Sequence, residues 1–325
     1  MHRFVRGLIT EWRRLELPFS DKTIIAAVSG GADSVAMFLA LADLRRREKL
    51  TNHLIVAHFD HGLRGKESSS DVRFVGRLAE DLGFAFVTAK GSIKKRGNLE
   101  QNARRARYDF LLNMARSANA FAILTAHTIN DQAETFLLNL IRGSGPSGLS
   151  AMPPVRTFEN ESILLVRPLL RWALREDTES FCRDAGCDFR TDAMNTDPAF
   201  SRVRIRRELI PALKKYNPRI VETLAKTAGL IAPSVNPPIV GLPDGIDVSR
   251  PALALSTLRQ LSKHELKATL RLWLKANRGD LRGVSLRHIE AIEQLILSTK
   301  SGRIAELPGN VAVRRSSGSL IYVPK

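Results

Sequence analysis

Cysteine is almost missing from these 325 residues: only Cys182 and Cys187 occur. Two thiols cannot build a disulfide framework, and their spacing within a stretch that reads as helix is not that of a zinc pair. Idle or buried thiols in a reducing cytosol are the expectation, which places the protein in the cytoplasm. Also lacking is any apolar run near the roughly 20 residues that a membrane helix needs, so no membrane partner is expected. The N-terminal MHRFVRGLITEWRRL is amphipathic and Arg-rich, but Arg6 and Glu11 break its apolar stretch. That excludes a secretory signal and leaves a first helix as the better reading than a transit peptide. No internal repeat or low-complexity tract is apparent. The common phosphate loop ending in Gly-Lys-Ser/Thr is missing too, since the GKES at Gly65 does not fit it. Acidic residues are few beside the basic ones, 33 against 50, for a net charge of +17. Such an excess favours a polyanionic partner, and the basic residues bunch (45–47, 94–96, 104–107 and 202–207), as a nucleic-acid binder's would.

What the sequence does hold is an alternation. Apolar residues make up 44% of the chain, enough for a substantial core. Short β-branched runs at 23–29, 53–60, 84–90 and 121–127 alternate with helical periodicity at 34–48, 69–82, 99–117 and 131–141. This pattern implies right-handed crossovers and an α/β fold around a parallel sheet, with ligands outside the carboxyl ends of the strands. Residues 163–170 add a further strand candidate. Helices are expected at 175–185, 201–215, 256–276 and 285–297, with short strands after them. The Pro/Gly-rich residues 233–245 read as a linker or long loop. A boundary near residue 216 divides the chain into a catalytic part, 1–215, and a smaller, mostly helical part, 216–325.

The chemistry concentrates in AAVSGGADS, residues 26–34. A buried strand delivers the chain to Ser29, Gly30, Gly31 and Ala32, and a helix starts at about Ser34. Glycine amides and a helix N-terminus together cradle anions, and Asp33 beside them suits Mg²⁺ held against phosphates. Ser29 and Ser34 offer hydroxyls to the same oxygens. The bland alternative, an N-capped turn, explains a bare Gly-Gly but not the whole string. His58 and His61 could pair on a metal, but no third ligand follows at plausible spacing. Gly143, Gly145 and Gly148 fit the dinucleotide spacing yet follow a helix and include Pro146, so they read as a Gly-rich loop. Four arginines between 202 and 207 suit phosphate contacts as well as a solvated face.

The string SGGADS resembles the PP-loop of the ATP pyrophosphatase superfamily. Four further strings are similar, in order, to those of tRNA(Ile)-lysidine synthases: AHFDHGLRGKES from 57, GNLEQNARRARYDFL from 97, TAHTINDQAETFLLNLIRGSGPSGLSAM from 125 and DAMNTDPAFSRVRIRRELIPAL from 192. The resemblance implies a PP-loop domain that adenylates the wobble cytidine of a tRNA(Ile) with a CAU anticodon, and free L-lysine as the amine that displaces AMP. It implies ATP and Mg²⁺ on Ser29–Ser34, with Asp33 as metal ligand and His58 and Asp60 beside the nucleotide. Asp33, Asp131 and Arg107 would be catalytic. Arg104, His127, Asn130, Glu134, Arg142, Gly143, Gly145, Arg202 and Arg206 would bind substrates, with Asp131 and Glu134 receiving the lysine amine. The C-terminal part would bind tRNA or complete a homodimer. Three positions depart from the family pattern: Thr128 where His or Asn is usual, Asn130 where Asp is usual, and Val203 where Asn is usual. A thiolating relative of the same class would need the cysteine cluster that this chain lacks. A tRNA-binding module without activity is the reading that Asn130 invites.

Overall fold

The structure is a computed structural model that describes residues 1–60, 62, 66–91, 99–158, 161–190, 201–235, 246–281 and 283–324. His61, residues 63–65, 97–98 and 192–200 of the quoted strings, the 94–96 basic cluster and residues 236–245 of the expected linker lie outside them. Two compact units result, one of residues 1–138 with 151–228, the other of 139–150 with 229–325.

The first unit carries α1 (Arg3–Arg14), β1 (Thr23–Ala27), α2 (Ala32–Arg46), β2 (His53–Asp60), α3 (Lys66–Asp81), β3 (Ala85–Lys90), α4 (Leu99–Ser117), β4 (Ala122–Leu124) and α5 (Ile129–Ile141). After α6 (Pro146–Leu149) come β5 (Val155–Thr157), β6 (Leu164–Val166), α7 (Arg175–Asp184), α8 (Ser201–Arg204), a π-helical turn Ile205–Leu209, α9 (Ile210–Lys214) and α10 (Ile220–Val235). Residues 233–235, expected as linker, thus finish a helix, while residues 201–215 are not one regular helix but two pieces around a π turn. The last residues of α5 and α10 count with the second unit.

The sheet order is β3-β2-β1-β4-β6-β5, parallel except for the β5–β6 pair. The chain winds outward from β1 through β2 to β3, then returns to place β4 on the other side of β1. A crevice opens where the winding reverses, at the carboxyl ends of β1 and β4. Side chains of β1 divide by the period of two. Ile24 and Ala26 face α1, α2 and α7, whereas Ile25 faces α4 through Leu111 and Ala115. Helix α2 is buried nearly all round, by Val35, Met37, Phe38, Leu41 and Leu44, because sheet, α1 and α7 all cover it. Each such side chain contributes roughly 1.5–3 kcal/mol of burial. No helix among the described residues is long and apolar enough to cross a membrane.

The second unit has its own core, with Trp273, Leu270, Leu274, Ile289, Ile292 and Val313 at its centre. Its antiparallel sheet runs β7-β10-β9-β8, from β7 (Ala252–Ala254), β8 (Ile304–Leu307), β9 (Val311–Arg315) and β10 (Ser319–Pro324). The expected helix over 256–276 is two, α11 (Leu255–Leu258) and α12 (Lys263–Arg278), because Ser262 and Glu265 form a capping box that restarts the helix. The last helix is α13 (Leu286–Leu297).

Gly7, in the first unit, is required by packing rather than by φ. A Cβ on Gly7 of α1 would sit 2.5 Å from the Trp172 ring, whose Nε1 is anchored on Pro168 O. Helix propensity favours alanine by about 1 kcal/mol, but the overlap outweighs that gain. Gly7→Ala is expected to lower stability by about 1–3 kcal/mol in urea unfolding. An unchanged midpoint would show that the α1–Trp172 contact is loose.

Candidate active site at the carboxyl ends of β1 and β4

The chain leaves β1 through Val28, whose amide donates to Ala57 O. Gly30 then takes φ +92°, a left-handed conformation that a side chain resists, and Gly31 caps α2 with extended backbone. Ser34 locks the turn. Its hydroxyl donates to Gly31 O (2.9 Å) and accepts from the Ser29 amide (3.1 Å), with Ser29 Oγ also 3.1 Å away. Asp33, in the first turn of α2, points a carboxylate into the crevice.

Three carboxylates meet there. Asp33 Oδ1 accepts from Thr178 Oγ1 (2.5 Å), and its Oδ2 lies 3.8 Å from Arg175 Nε. Asp131 Oδ1 lies 3.7 Å from Arg175 Nη2, and Glu134 Oε1 lies 3.7 Å from Arg175 Nη1. One guanidinium therefore stands among all three acids. Arg206 grips Glu134 with both of its arms, at 2.7 and 3.0 Å. Asp131 Oδ2 is taken by the Thr128 amide and hydroxyl at the start of α5. Asn130 Oδ1 accepts from the Arg175 amide (2.9 Å), satisfying an otherwise orphan donor of α7.

The electrostatics follow from this crowding. Burial, then the Asp131 charge, push Asp33 up to about 6, against the pull of Arg175 and the Thr178 bond. Burial also opposes ionisation of Asp131, but Arg175, the Thr128 amide and Arg206 outweigh it and hold the carboxyl below its ordinary value. Burial pushes His127 down to about 3, so the ring is neutral; Arg167, Arg107 and Arg104 act in the same direction. Its Nδ1 is 3.0 Å from Thr125 Oγ1.

Of the expected site residues, the structure gathers Asp33, Asn130, Asp131, Glu134 and Arg206 at the crevice, and Arg104 and Arg107 on the far side of His127. His58 donates from Nδ1 to Val28 O (2.9 Å), tying β2 to the loop; burial lowers its pKa. Asp60 Oδ1 accepts from the Gly62 amide (2.7 Å). Arg202 reaches Thr135 Oγ1 at 3.4 Å. Arg142, Gly143 and Gly145 belong to the second unit, where Gly145 caps α6 and Gly143 bonds back to Leu140 O. Val203 is buried, which suits the apolar residue it is. Sequence reasoning missed Arg175 and Thr178, which stand at the first turn of α7; a polar Arg-x-x-Thr turn opening that helix was the available signal. Cys182 is buried behind the loop, its thiol pushed up to about 12 by burial and by Cys187, and no three His, Cys, Asp or Glu side chains among the described residues gather as a metal cluster.

A glycine cradle between strand and helix, a carboxylate one residue into that helix and a sheet reversing beside it define a PP-loop nucleotide-binding domain, and the sequence signature of the PP-loop domain matches residues 7–213. A second signature, of the TilS substrate binding domain, matches residues 253–321. The tRNA(Ile)-lysidine synthase of Salinispora arenicola is 37% identical over 307 residues, covering 92% of this chain and 90% of its own. On these matches the chain belongs to the tRNA(Ile)-lysidine synthase family. The corresponding enzyme of Geobacter sulfurreducens is 38% identical over 92% of this chain, which spans 64% of that relative's length. The fold is shared with a U34-tRNA thiolase of Methanococcus maripaludis, with a TM-score of 0.58 at 14% identity, over 70% of this chain and 79% of that one.

The raised Asp33 makes a stability prediction. Its folded pKa of about 6 exceeds the ordinary 3.8, so between those values the native state holds a proton that the unfolded chain has released. Asp33 therefore weakens the ligand-free protein above pH 6, and the penalty fades as pH falls towards 4. Asp33→Asn, which keeps an acceptor for Thr178, should stabilise the ligand-free protein at pH 8 by up to about 3 kcal/mol and flatten that pH dependence. Pyrophosphate release should be lost in the same variant. A destabilised variant in urea titrations at pH 8 would contradict this account of the acid cluster.

Proposed function

We propose that this chain joins free lysine to carbon 2 of the wobble cytidine in a tRNA(Ile) with a CAU anticodon, using ATP. The observation that supports this most directly is the acid cluster Asp33–Asp131–Glu134 beside the glycine cradle, in a chain alignable with a lysidine synthase over nine-tenths of both. The +17 charge fits the RNA substrate.

The chemistry has two parts. The base oxygen on carbon 2 attacks the α-phosphate of ATP, giving an adenylated cytidine and pyrophosphate. The ε-amine of lysine then adds at carbon 2, AMP leaves with its electron pair, and the amine's protons pass to a base. Adenylation is needed because an amide-like oxygen leaves poorly. The loop amides of Gly30 and Gly31, Ser29 and Ser34 would hold the phosphates, and His58 and Asp60 would line the nucleotide side. Asp131 would receive the lysine amine, because both oxygens of Glu134 are already committed to Arg206.

Mg²⁺ fits this donor set. Three carboxylates face two guanidiniums, Arg175 and Arg206, and the uncompensated charge falls on Asp33. Asp33 would hold the ion, which supplies neutralisation of phosphate charge when bound. The second unit would bind tRNA or complete a homodimer.

The thiolase alternative shares the fold only, and the buried Cys182 thiol does not serve it. The inactive-module alternative rests on Asn130, and single-turnover lysidine formation on one tRNA tests it. Wild type is expected to be active, Asp131→Asn to lose at least about tenfold, near 1.4 kcal/mol of barrier, and Asn130→Asp to change far less. An inert wild type restored by Asn130→Asp would make this chain a lapsed enzyme.

A further inference from the structure

Beside His127 lies a group of arginines, and among the described residues no ion pair joins any of them to an acid. The guanidiniums of Arg104 and Arg107 each stand 5.3 Å from the Tyr108 ring centre, and that of Arg156 stands 5.7 Å away. Arg156 also covers Phe158. Arg167, only 2% exposed, donates through Nη1 to Pro153 O, while its Nε has no partner. Arg107 Nε is likewise buried without a hydrogen bond, and the buried Tyr108 hydroxyl faces Arg167. Two aromatic rings do not offset the mutual repulsion of four guanidiniums, so this arrangement is costly as it stands. An anion among the guanidiniums would relieve that repulsion.

We propose that Arg104, Arg107, Arg156 and Arg167, converging on Tyr108 beside His127, form a phosphate pocket separate from the glycine loop, and that it takes a backbone phosphodiester of the RNA substrate next to the modified nucleotide. This rests on the RNA reading of the site. Four charges suit a phosphate better than lysine's carboxylate, which brings its own ammonium into the same cluster. ATP is served elsewhere, since the guanidiniums that act on Asp33 are Arg175 and Arg206, whereas Arg104, Arg107 and Arg167 act on His127. Arg202 acts on Arg104 in turn and stands on α8, so the pocket continues into the basic segment 202–207. A splayed nucleotide entering the crevice drags its backbone along that track, and positioned phosphates fix the register of the base.

The test uses the whole protein, an anticodon stem-loop RNA with the CAU loop, and the same RNA carrying a neutral methylphosphonate at either phosphate flanking the target cytidine. Arg156→Gln changes an exposed residue of β5, and Tyr108→Phe removes a single oxygen. Arg156→Gln should weaken the unmodified RNA about tenfold, as loss of one charge-assisted contact does, and reduce the salt slope by about 0.7. One methylphosphonate RNA should bind wild type weakly and lose nothing more to either variant. The KM for ATP in pyrophosphate release should stay level and the melting temperature should not fall. Equal losses on every RNA, a raised KM for ATP with RNA affinity intact, or a lower melting temperature with both intact would each overturn the pocket. Lysidine formation by wild type on the full tRNA is measured alongside. Its absence would remove the functional reading, whereas its presence with RNA affinity unmoved by Arg156→Gln would remove only the pocket.

Discussion

The contact on which the crevice depends is Arg175 among three carboxylates. Asp33, Asp131 and Glu134 come from α2 and α5, and neither helix brings a cation to the meeting point. Arg175 supplies it from α7, and Arg206 adds a second from the π turn. The position of α7 is therefore a condition of the site. Asn130 fixes its first amide, the Asp177 carboxylate accepts from the Leu174 amide, and Phe181 stacks on Phe4 at 4.8 Å between centroids. A hydrophobic contact between α1 and α7, remote from the phosphates, thus holds the charge that lets the acids coexist.

Beyond this point the site is polarised. Acids occupy the end of β1 and the start of α5, cations the region beside Arg167 after β6, and a neutral His127 stands between. Deep burial keeps that ring uncharged, so it neither adds to the cations nor cancels Asp131. The two halves suit different parts of the chemistry. A cation or an amine is drawn to the acids, and phosphate oxygens are drawn to the glycine amides and the guanidiniums. In a medium of low dielectric this separation orients charged substrates without any moving part.

The fold was largely legible because strands of a parallel sheet are continuous apolar runs, and β1 through β3 are such runs. Three-residue β5 was not, since Val155 is half-buried and Arg156 and Thr157 are exposed on an edge, and the strand carries no period. Asp33, Asp131 and the glycines were legible because their chemistry is local: a cradle, a helix start, a carboxylate one residue in. Arg175 was illegible for the opposite reason. Its partners stand more than forty residues away, and in sequence it is one charge in an ordinary polar helix. Arg206 was read with its neighbours as part of a phosphate-binding face, and a helical charge run gives no sign of which arginine turns inward. The π turn at 205–209 aims Arg206 at Glu134 while Arg204 and Arg207 stay exposed. Wide helical turns of this kind recur at functional sites, and propensity does not announce them.

The same charge balance explains the substitution that looked most damaging. An Asp at 130 would be a fourth carboxylate against two guanidiniums, beside an Asp33 already pushed up to about 6. Its required contact is an acceptor for the Arg175 amide, and an amide oxygen accepts as a carboxylate oxygen does, without the charge. Asparagine thus keeps the bond that sets α7 and omits repulsion that the site would otherwise have to screen. A cation bound by Asp33 would still find the Asp131 charge nearby. The residue pair Asn130–Asp131 therefore divides two tasks, one neutral side chain holding the helix and one charged side chain in the crevice.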